Sequence, residues 1–228
     1  LQAADGSVVL IDATAGVKIG TEKVWAFAEE RNLPKIIFIN RMDRERADFF
    51  QALDTISQVF EVKATPVTIP MGEEDRFSGV VDLIKQKAYV YNKDGSGTFE
   101  TTDIPDDLKD TADEWREMMI ENVVEVDDDL MEKYLEGEEL SHKEIEKTLF
   151  EGIKSGLITP VLCGSAVLNM GVPQLMDLVV DGFPSPVERQ SKKGIVPGTD
   201  EETQRAPTVE APFSALVFKT VADPFAGK

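Results

Sequence analysis

The sequence predicts an α/β fold: a parallel sheet, an inserted α+β region, and the first strand of a further β domain. Three observations carry this. Short, near-continuous apolar runs alternate with amphipathic stretches over 7–70 and again over 157–182, as strands buried on both faces of a βαβ sheet require. Between about 70 and 155 the pattern changes to short alternating strands and then acidic helices. From 188 the chain is polar and punctuated by Gly and Pro until one alternating run at 212–221.

The elements follow in order. Ser7–Asp12 is an apolar run of strand type, and the small residues of 13–20 read as a turn. Over 21–32 Val24, Phe27, Ala28 and Arg31 recur at helical spacing, which predicts a helix with that face inward. A strand at 35–39 precedes a helix at 44–60 with Phe49, Leu53, Ile56 and Phe60 on one stripe, and 66–70 is a third strand. Strand–helix–strand order implies right-handed crossovers and parallel pairing. Short strands are then predicted at 79–84, 87–92 and 98–102, with Asp94-Gly95-Ser96-Gly97 as the plainest turn. Helices follow at 107–123, 128–136 and 141–155, the last opened by a capping box of Ser141 and Glu144. A strand at 157–163, the turn Gly164-Ser165-Ala166, and a helix at 173–182 with Leu175, Leu178 and Val179 inward complete the sheet region. Leu1 to Ala4 reads as the tail of a helix, so both ends are read as internal to a longer protein.

Composition narrows the function. Hydrophobic residues are 42% and charged residues 29% of 228, an ordinary globular balance. No apolar run reaches the ~18 residues of a membrane span. Cys163 is the only cysteine, so no internal disulfide forms and a reduced, cytoplasmic setting is the simplest inference. The net charge of −19 argues against a broad nucleic-acid-binding face. Residues 94–151 hold 21 Asp and Glu against 5 Lys and Arg, a net of −16. That segment is either a solvated surface or a docking face for a basic partner. His142 falls in a first helical turn without a second His or a Cys cluster, so it reads as exposed and no metal site is predicted.

Asn40-Arg41-Met42-Asp43 ends the strand at 35–39. A carboxylate there can accept from both N1–H and N2–H₂ of guanine, two donors on one edge that adenine does not present together. The Asn40 amide can donate to the base and tie down neighbouring loops. The alternative is an Asx turn that caps the next helix. Gly164-Ser165-Ala166 closes a second strand of the same sheet. Open parallel sheets bind ligands at these carboxyl ends, and the Ala166 N–H could donate to guanine O6. Together Asn40, Asp43, Ser165 and Ala166 make a base-recognition site a coherent expectation.

These residues also carry a resemblance. Asn40-Arg41-Met42-Asp43 resembles the Asn-Lys-x-Asp guanine-specificity motif of GTPases, and Ser165-Ala166 resembles their Ser-Ala motif. The stretches Asp12-Ala13-Thr14-Ala15-Gly16-Val17, Gly79-Val80-Val81-Asp82-Leu83, Met131-Glu132-Lys133-Tyr134-Leu135 and Phe213-Ser214-Ala215-Leu216-Val217-Phe218-Lys219 resemble translational GTPases, elongation factor G or its paralogues in particular. The resemblance runs the length of the chain. It implies the distal half of a P-loop GTPase-type G domain at 1–69, an inserted subdomain at 70–155, the last strand and helix of the G domain at 156–187, a linker at 188–210, and the start of a second, β-barrel domain at 211–228. Arg41 stands where the family usually has Lys, and its guanidinium would pack on base and ribose.

The resemblance implies GTP hydrolysis on the ribosome by the intact protein, with GTP or GDP and Mg²⁺ as cofactors and the ribosome, its stalk protein included, as partner. Phosphoryl transfer needs a P-loop and switch residues. The sequence contains no Gly-x₄-Gly-Lys-Ser/Thr, and Asp94-Gly95-Ser96-Gly97 matches the Asp-x-x-Gly spelling only within a predicted turn. These 228 residues are therefore expected to hold base contacts, no catalytic residues and, alone, no tightly bound nucleotide. The alternatives are an acidic module that recruits the stalk protein, and a ribosome-protection or elongation-factor-G-like paralogue without translocase activity. No Gly-x-Gly-x-x-Gly follows a strand, which disfavours a dinucleotide oxidoreductase.

Overall fold

The structure, a computed structural model, describes residue 1, residues 3–189 and residues 192–221. It divides into two units, each taken by itself: Gly6–Phe183, and Leu1–Asp5 together with the described residues from Pro184 onward.

The larger unit is built on a four-stranded parallel sheet in the order β1-β2-β8-β3, where β1 is Ser7–Asp12, β2 is Lys35–Asn40, β3 is Ala64–Pro66 and β8 is Thr159–Cys163. β2 and β8 lie inside it. Ile36, Ile37, Phe38, Ile39, Val161, Leu162 and Cys163 are at most 1% exposed, which is why both strands read as unbroken apolar runs. Buried Lys35 begins β2. Its ammonium pairs with Glu29 at 2.7 Å, donates to the Leu33 carbonyl at 3.1 Å and lies 5.2 Å from the Trp25 ring centroid, so the charge is compensated on each side.

The first helix, α1 (Ile19–Glu29), buries Trp25 and Ala28. Val24 and Phe27 are 46% and 54% exposed, so the inward face is rotated from the predicted one. The aromatic contact decides this: Trp25 stacks on Phe60 with ring centroids 4.2 Å apart, and a stacked pair gains beyond its area. The second helix, α2 (Phe49–Phe60), starts later than predicted, because the Asp48 carboxylate caps it by accepting from the Gln51 N–H at 2.9 Å. Residues 44–47 lie outside it, and Arg46 takes a φ of 66°.

The predicted strand at 66–70 is two strands. The chain leaves the parallel sheet after β3 and enters a second, antiparallel sheet, β4-β5-β6-β7, formed by β4 (Thr68–Met71), β5 (Gly79–Asp82), β6 (Lys87–Tyr91) and β7 (Phe99–Thr102). Val67 joins the sheets by donating to the Val161 carbonyl and accepting from the Leu83 N–H. Three helices follow: α3 (Asp106–Val124), α4 (Asp128–Leu135) and α5 (His142–Ser155). α5 carries the predicted Ser141–Glu144 capping box, ends at Gly156 with φ 79°, and leaves His142 exposed. Among the described residues no cluster of His, Cys, Asp and Glu could hold a metal, and no helix is long and apolar enough to cross a membrane. The last helix of this unit, α6 (Val172–Gly182), buries Leu178 and Gln174, and Gln174 accepts from the Tyr91 hydroxyl.

In the smaller unit, 188–210 is more than a linker. β9 (Lys192–Ile195) and β10 (Glu202–Arg205) form an antiparallel hairpin turned at Gly198, φ 81°. The pair is polar, so it gives no apolar alternation to read. The predicted strand at 212–221 does not form. Phe213, Leu216 and Val217 are largely exposed, and an extended segment becomes a strand only with a neighbour to bond. The remainder of the predicted start of a second domain, 222–228, lies outside the described residues. Ala3 sits in a turn, so the predicted helix tail is not seen, Gln2 being outside the described residues.

Candidate functional site

The site is assembled at the carboxyl ends of β2 and β8, adjacent parallel strands in register Ile39↔Cys163. The two segments are laced together by backbone bonds: Gly164 N–H to the Ile39 carbonyl at 2.9 Å and Met42 N–H to the Gly164 carbonyl at 3.1 Å. Only glycine fits at 164. A Cβ there would lie 2.2 Å from the Met170 carbonyl oxygen and 2.7 Å from the Phe38 ring. Cys163, just before it, is fully buried, and burial pushes its thiol up to about 12. It is therefore an inert core residue.

Asn40 is the hub. Its Oδ1 accepts from the Arg41 N–H at 2.8 Å and from the Ala166 N–H at 2.9 Å. The amide thus fixes the Ser165–Ala166 turn to the end of β2. The Ala166 N–H, which the sequence reading aims at guanine O6, is engaged by Asn40. Ser165 is fully buried: its N–H donates to the Met170 carbonyl at 3.0 Å, the Met170 N–H returns to Ser165 at 3.0 Å, and its Oγ accepts from the Leu168 N–H at 3.3 Å.

Asp43 is the decisive residue. Its side chain is 17% exposed, and its Oδ1 is buried without a hydrogen-bond partner among the described residues. Its Oδ2 lies 3.7 Å from Arg44 Nε. The capping alternative fails here, since Asp48 caps α2. A buried carboxylate oxygen left bare is costly in a folded chain and marks a place where a donor is to arrive.

Arg41 has a φ of 70°, and its guanidinium donates to Asp12 Oδ2 at 2.8 Å while the side chain stays 59% exposed. Asp12 ends β1 directly opposite Asn40. Burial raises the Asp12 carboxyl, but the bonds from the Thr14 N–H and hydroxyl and the nearby Arg41 outweigh it and hold the group below its ordinary value. The guanidinium is thus anchored at one end.

Comparison with known proteins gives these ends their context. The family model of the elongation factor Tu GTP binding domain matches residues 1–185. The chain belongs to this family. A crystal structure of a protein from Thermus thermophilus matches with a TM-score of 0.74 and 29% identity over 89% of this chain. The match spans 31% of the length of that protein.

Family membership makes a guanine nucleotide the ligand class to test against the residues present. Asp43 Oδ1, without a hydrogen-bond partner among the described residues, is an acceptor of the kind that a base edge with adjacent N–H donors requires. The site brings together Asn40, Asp43, Ser165 and Ala166, and it ties Arg41 to Asp12 beside them. Sequence reasoning passed over three contributors: Asp12, Gly164 as a packing requirement, and Asn169, whose φ of 54° and bond to the Ser96 carbonyl at 3.4 Å brace the base loop. Asp12 had a signal, since a polar residue closes the apolar strand next to the one that ends in Asn40.

Proposed function

We propose that this chain is the base-reading part of a translational GTPase resembling elongation factor G. Asp43 accepts N1–H and N2–H₂ of guanine, Asn40 donates to the base while holding the loop, Arg41 packs against base and ribose, and Ser165 and Ala166 close the site. The observation that carries the reading is the buried Asp43 Oδ1, without a partner among the described residues, three residues along the chain from the Asn40 that binds Ala166. The Ala166 N–H already serves Asn40, so guanine O6 competes for it. GTP would supply the phosphoanhydride cleaved with Mg²⁺ in the intact protein, and these 228 residues contain no Gly-x₄-Gly-Lys-Ser/Thr to hold its phosphates. The chain's own part is to select and orient the base, and alone it does not hydrolyse GTP.

In the intact protein this reading places the acidic helices 106–155 toward the ribosome and its stalk protein, in the cytoplasm. Support comes from the net charge of −16 over 94–151 and from the family resemblance. Translocation of tRNA and mRNA is the activity proposed for the whole protein. Titration of the ¹⁵N-labelled chain with millimolar guanosine or adenosine tests the base site. Guanosine should move the amide signals of Asn40, Asp43 and Ala166, and equal movement with adenosine would overturn the assignment.

A further inference from the structure

The turn Asp94-Gly95-Ser96-Gly97 of the inserted sheet belongs to none of the roles above, yet it rests against the base loop. The β6–β7 connection is tightly specified: the Asn92 N–H donates to the Thr98 carbonyl at 3.0 Å, and the Ser96 N–H to Asp94 Oδ1 at 2.9 Å. At its tip the Ser96 carbonyl accepts from Asn169 Nδ2 at 3.4 Å. A second tie lies at the end of β6, where the Tyr91 hydroxyl donates to buried Gln174. The inserted sheet therefore grips the stretch 169–174 at two places.

Two glycines in the turn separate backbone need from packing need. Gly95 and Gly97 have nearly the same φ, 76° and 75°. A Cβ at Gly95 would meet nothing nearer than the Val167 carbonyl oxygen at 3.8 Å. A Cβ at Gly97 would lie 2.4 Å from Asn169 Nδ2 and 2.9 Å from its Cγ. Asn169 can swing its side-chain end aside only by giving up the bond to Ser96, and its carbonyl oxygen, 3.3 Å from the same Cβ, is backbone. Its N–H donates to the Ala166 carbonyl at 3.4 Å, and the loop on both sides is closed by the paired Ser165 and Met170 bonds. A push on Asn169 is passed three residues back to Ala166.

We propose that the 94–97 turn is a buttress for the base loop, with Gly97 and Asn169 as positioning residues that set the Ala166 N–H against Asn40. Its effect on nucleotide rests on the guanine reading above, whereas its effect on the loop does not. The inserted subdomain is thereby coupled to base affinity: whatever displaces the β6–β7 turn displaces Ala166.

The test uses the full ¹⁵N-labelled chain and guanosine. Gly97→Ala should shift the Ala166 amide signal without ligand and weaken guanosine about fivefold, as expected when one hydrogen bond of ordinary strength is misaligned. Gly95→Ala carries the same left-handed strain and should leave both readouts as in the parent. Asn169→Gly keeps the backbone freedom and removes the obstructed side chain. The double variant Gly97→Ala/Asn169→Gly should therefore match Asn169→Gly alone, a non-additivity that general destabilisation of the turn does not produce. Equal behaviour of Gly97→Ala and Gly95→Ala, or additive effects in the double variant, would overturn the buttress. If Gly97→Ala does not fold, Asn169→Gly decides alone: an unmoved Ala166 signal overturns the proposal. Absence of guanosine shifts in the parent chain would count against the guanine reading only, since the ligand-free Ala166 signal still tests the buttress.

Discussion

Replacing Asp43 with Asn separates a ligand-binding carboxylate from a structural one. The substitution keeps shape and removes charge. In the ligand-free chain the carboxylate is 17% exposed, with one oxygen bare and the other only 3.7 Å from Arg44. An unsatisfied buried polar atom costs about 1–3 kcal/mol, more when it is charged. Asp43→Asn should therefore leave the unfolding free energy unchanged or raise it by about 1 kcal/mol in urea titrations. Binding should move the other way. Hydrogen bonds to charged groups are worth about 1.5–3 kcal/mol each. Losing one of the pair to N1–H and N2–H₂ weakens guanosine by about tenfold to a hundredfold, at 1.4 kcal/mol per tenfold. Asn presents an N–H where the carboxylate presented an oxygen, so xanthosine, with a carbonyl at the 2-position, should gain what guanosine loses. NMR titration with the two nucleosides reads this directly. A fall in stability together with unchanged guanosine binding would refute the reasoning and make Asp43 a fold residue.

Other predictions follow from the same geometry. Gly164→Ala forces a Cβ to within 2.2 Å of the Met170 carbonyl oxygen; about 1–3 kcal/mol of stability should be lost to overpacking, measured by urea unfolding. Asp12→Ala frees Arg41 and also removes the acceptor of the Thr14 N–H and hydroxyl bonds, so about 1–3 kcal/mol of stability should be lost, while guanosine-induced shifts at Arg41 should alter. Burial raises the Asp82 carboxyl, against the bonds from the Lys85 and Ile84 N–H groups and the Tyr89 hydroxyl. A carboxyl whose folded pKa is raised favours the fold most below its unfolded pKa, and that advantage is lost as pH rises through the folded value. Asp82→Asn should therefore gain stability relative to the parent as pH rises from acid toward neutral, in urea titrations across pH. Buried Cys163, with its thiol up at about 12, should resist iodoacetamide at pH 8 until the chain is unfolded.

Much of the fold was legible because strong local signals agreed with the packing. Ile36 to Ile39 read as a strand buried on both faces and is one. The Ser141–Glu144 capping box placed the start of α5. Where sequence reading failed, tertiary contacts were the cause. The Trp25–Phe60 stack turned α1 by a residue. Asp48, set beside Gln51 three residues on, was a legible cap that the apolar stripe of 44–60 obscured. The switch of sheets at Val67 has no local signature, since both neighbouring strands are short and buried. At the site, residue types were visible but their bonding was not. The sequence could place Asn40 and Ala166 at neighbouring strand ends, but not that one would occupy the other's N–H. The contact between Gly97 and Asn169 joins segments far apart in the chain, and no spacing rule reaches it.

Inosine is the sharpest probe of the central claim. It keeps N1–H and O6 of guanosine and lacks only the N2 amino group. If Asp43 accepts from both N1–H and N2–H₂, affinities for the 228-residue chain, measured by ¹⁵N titration, should fall in the order guanosine, inosine, adenosine. The first step should be about tenfold or more, the worth of one charge-assisted bond. Equal binding of guanosine and inosine would contradict the bidentate contact, and equal binding of adenosine would contradict guanine recognition itself.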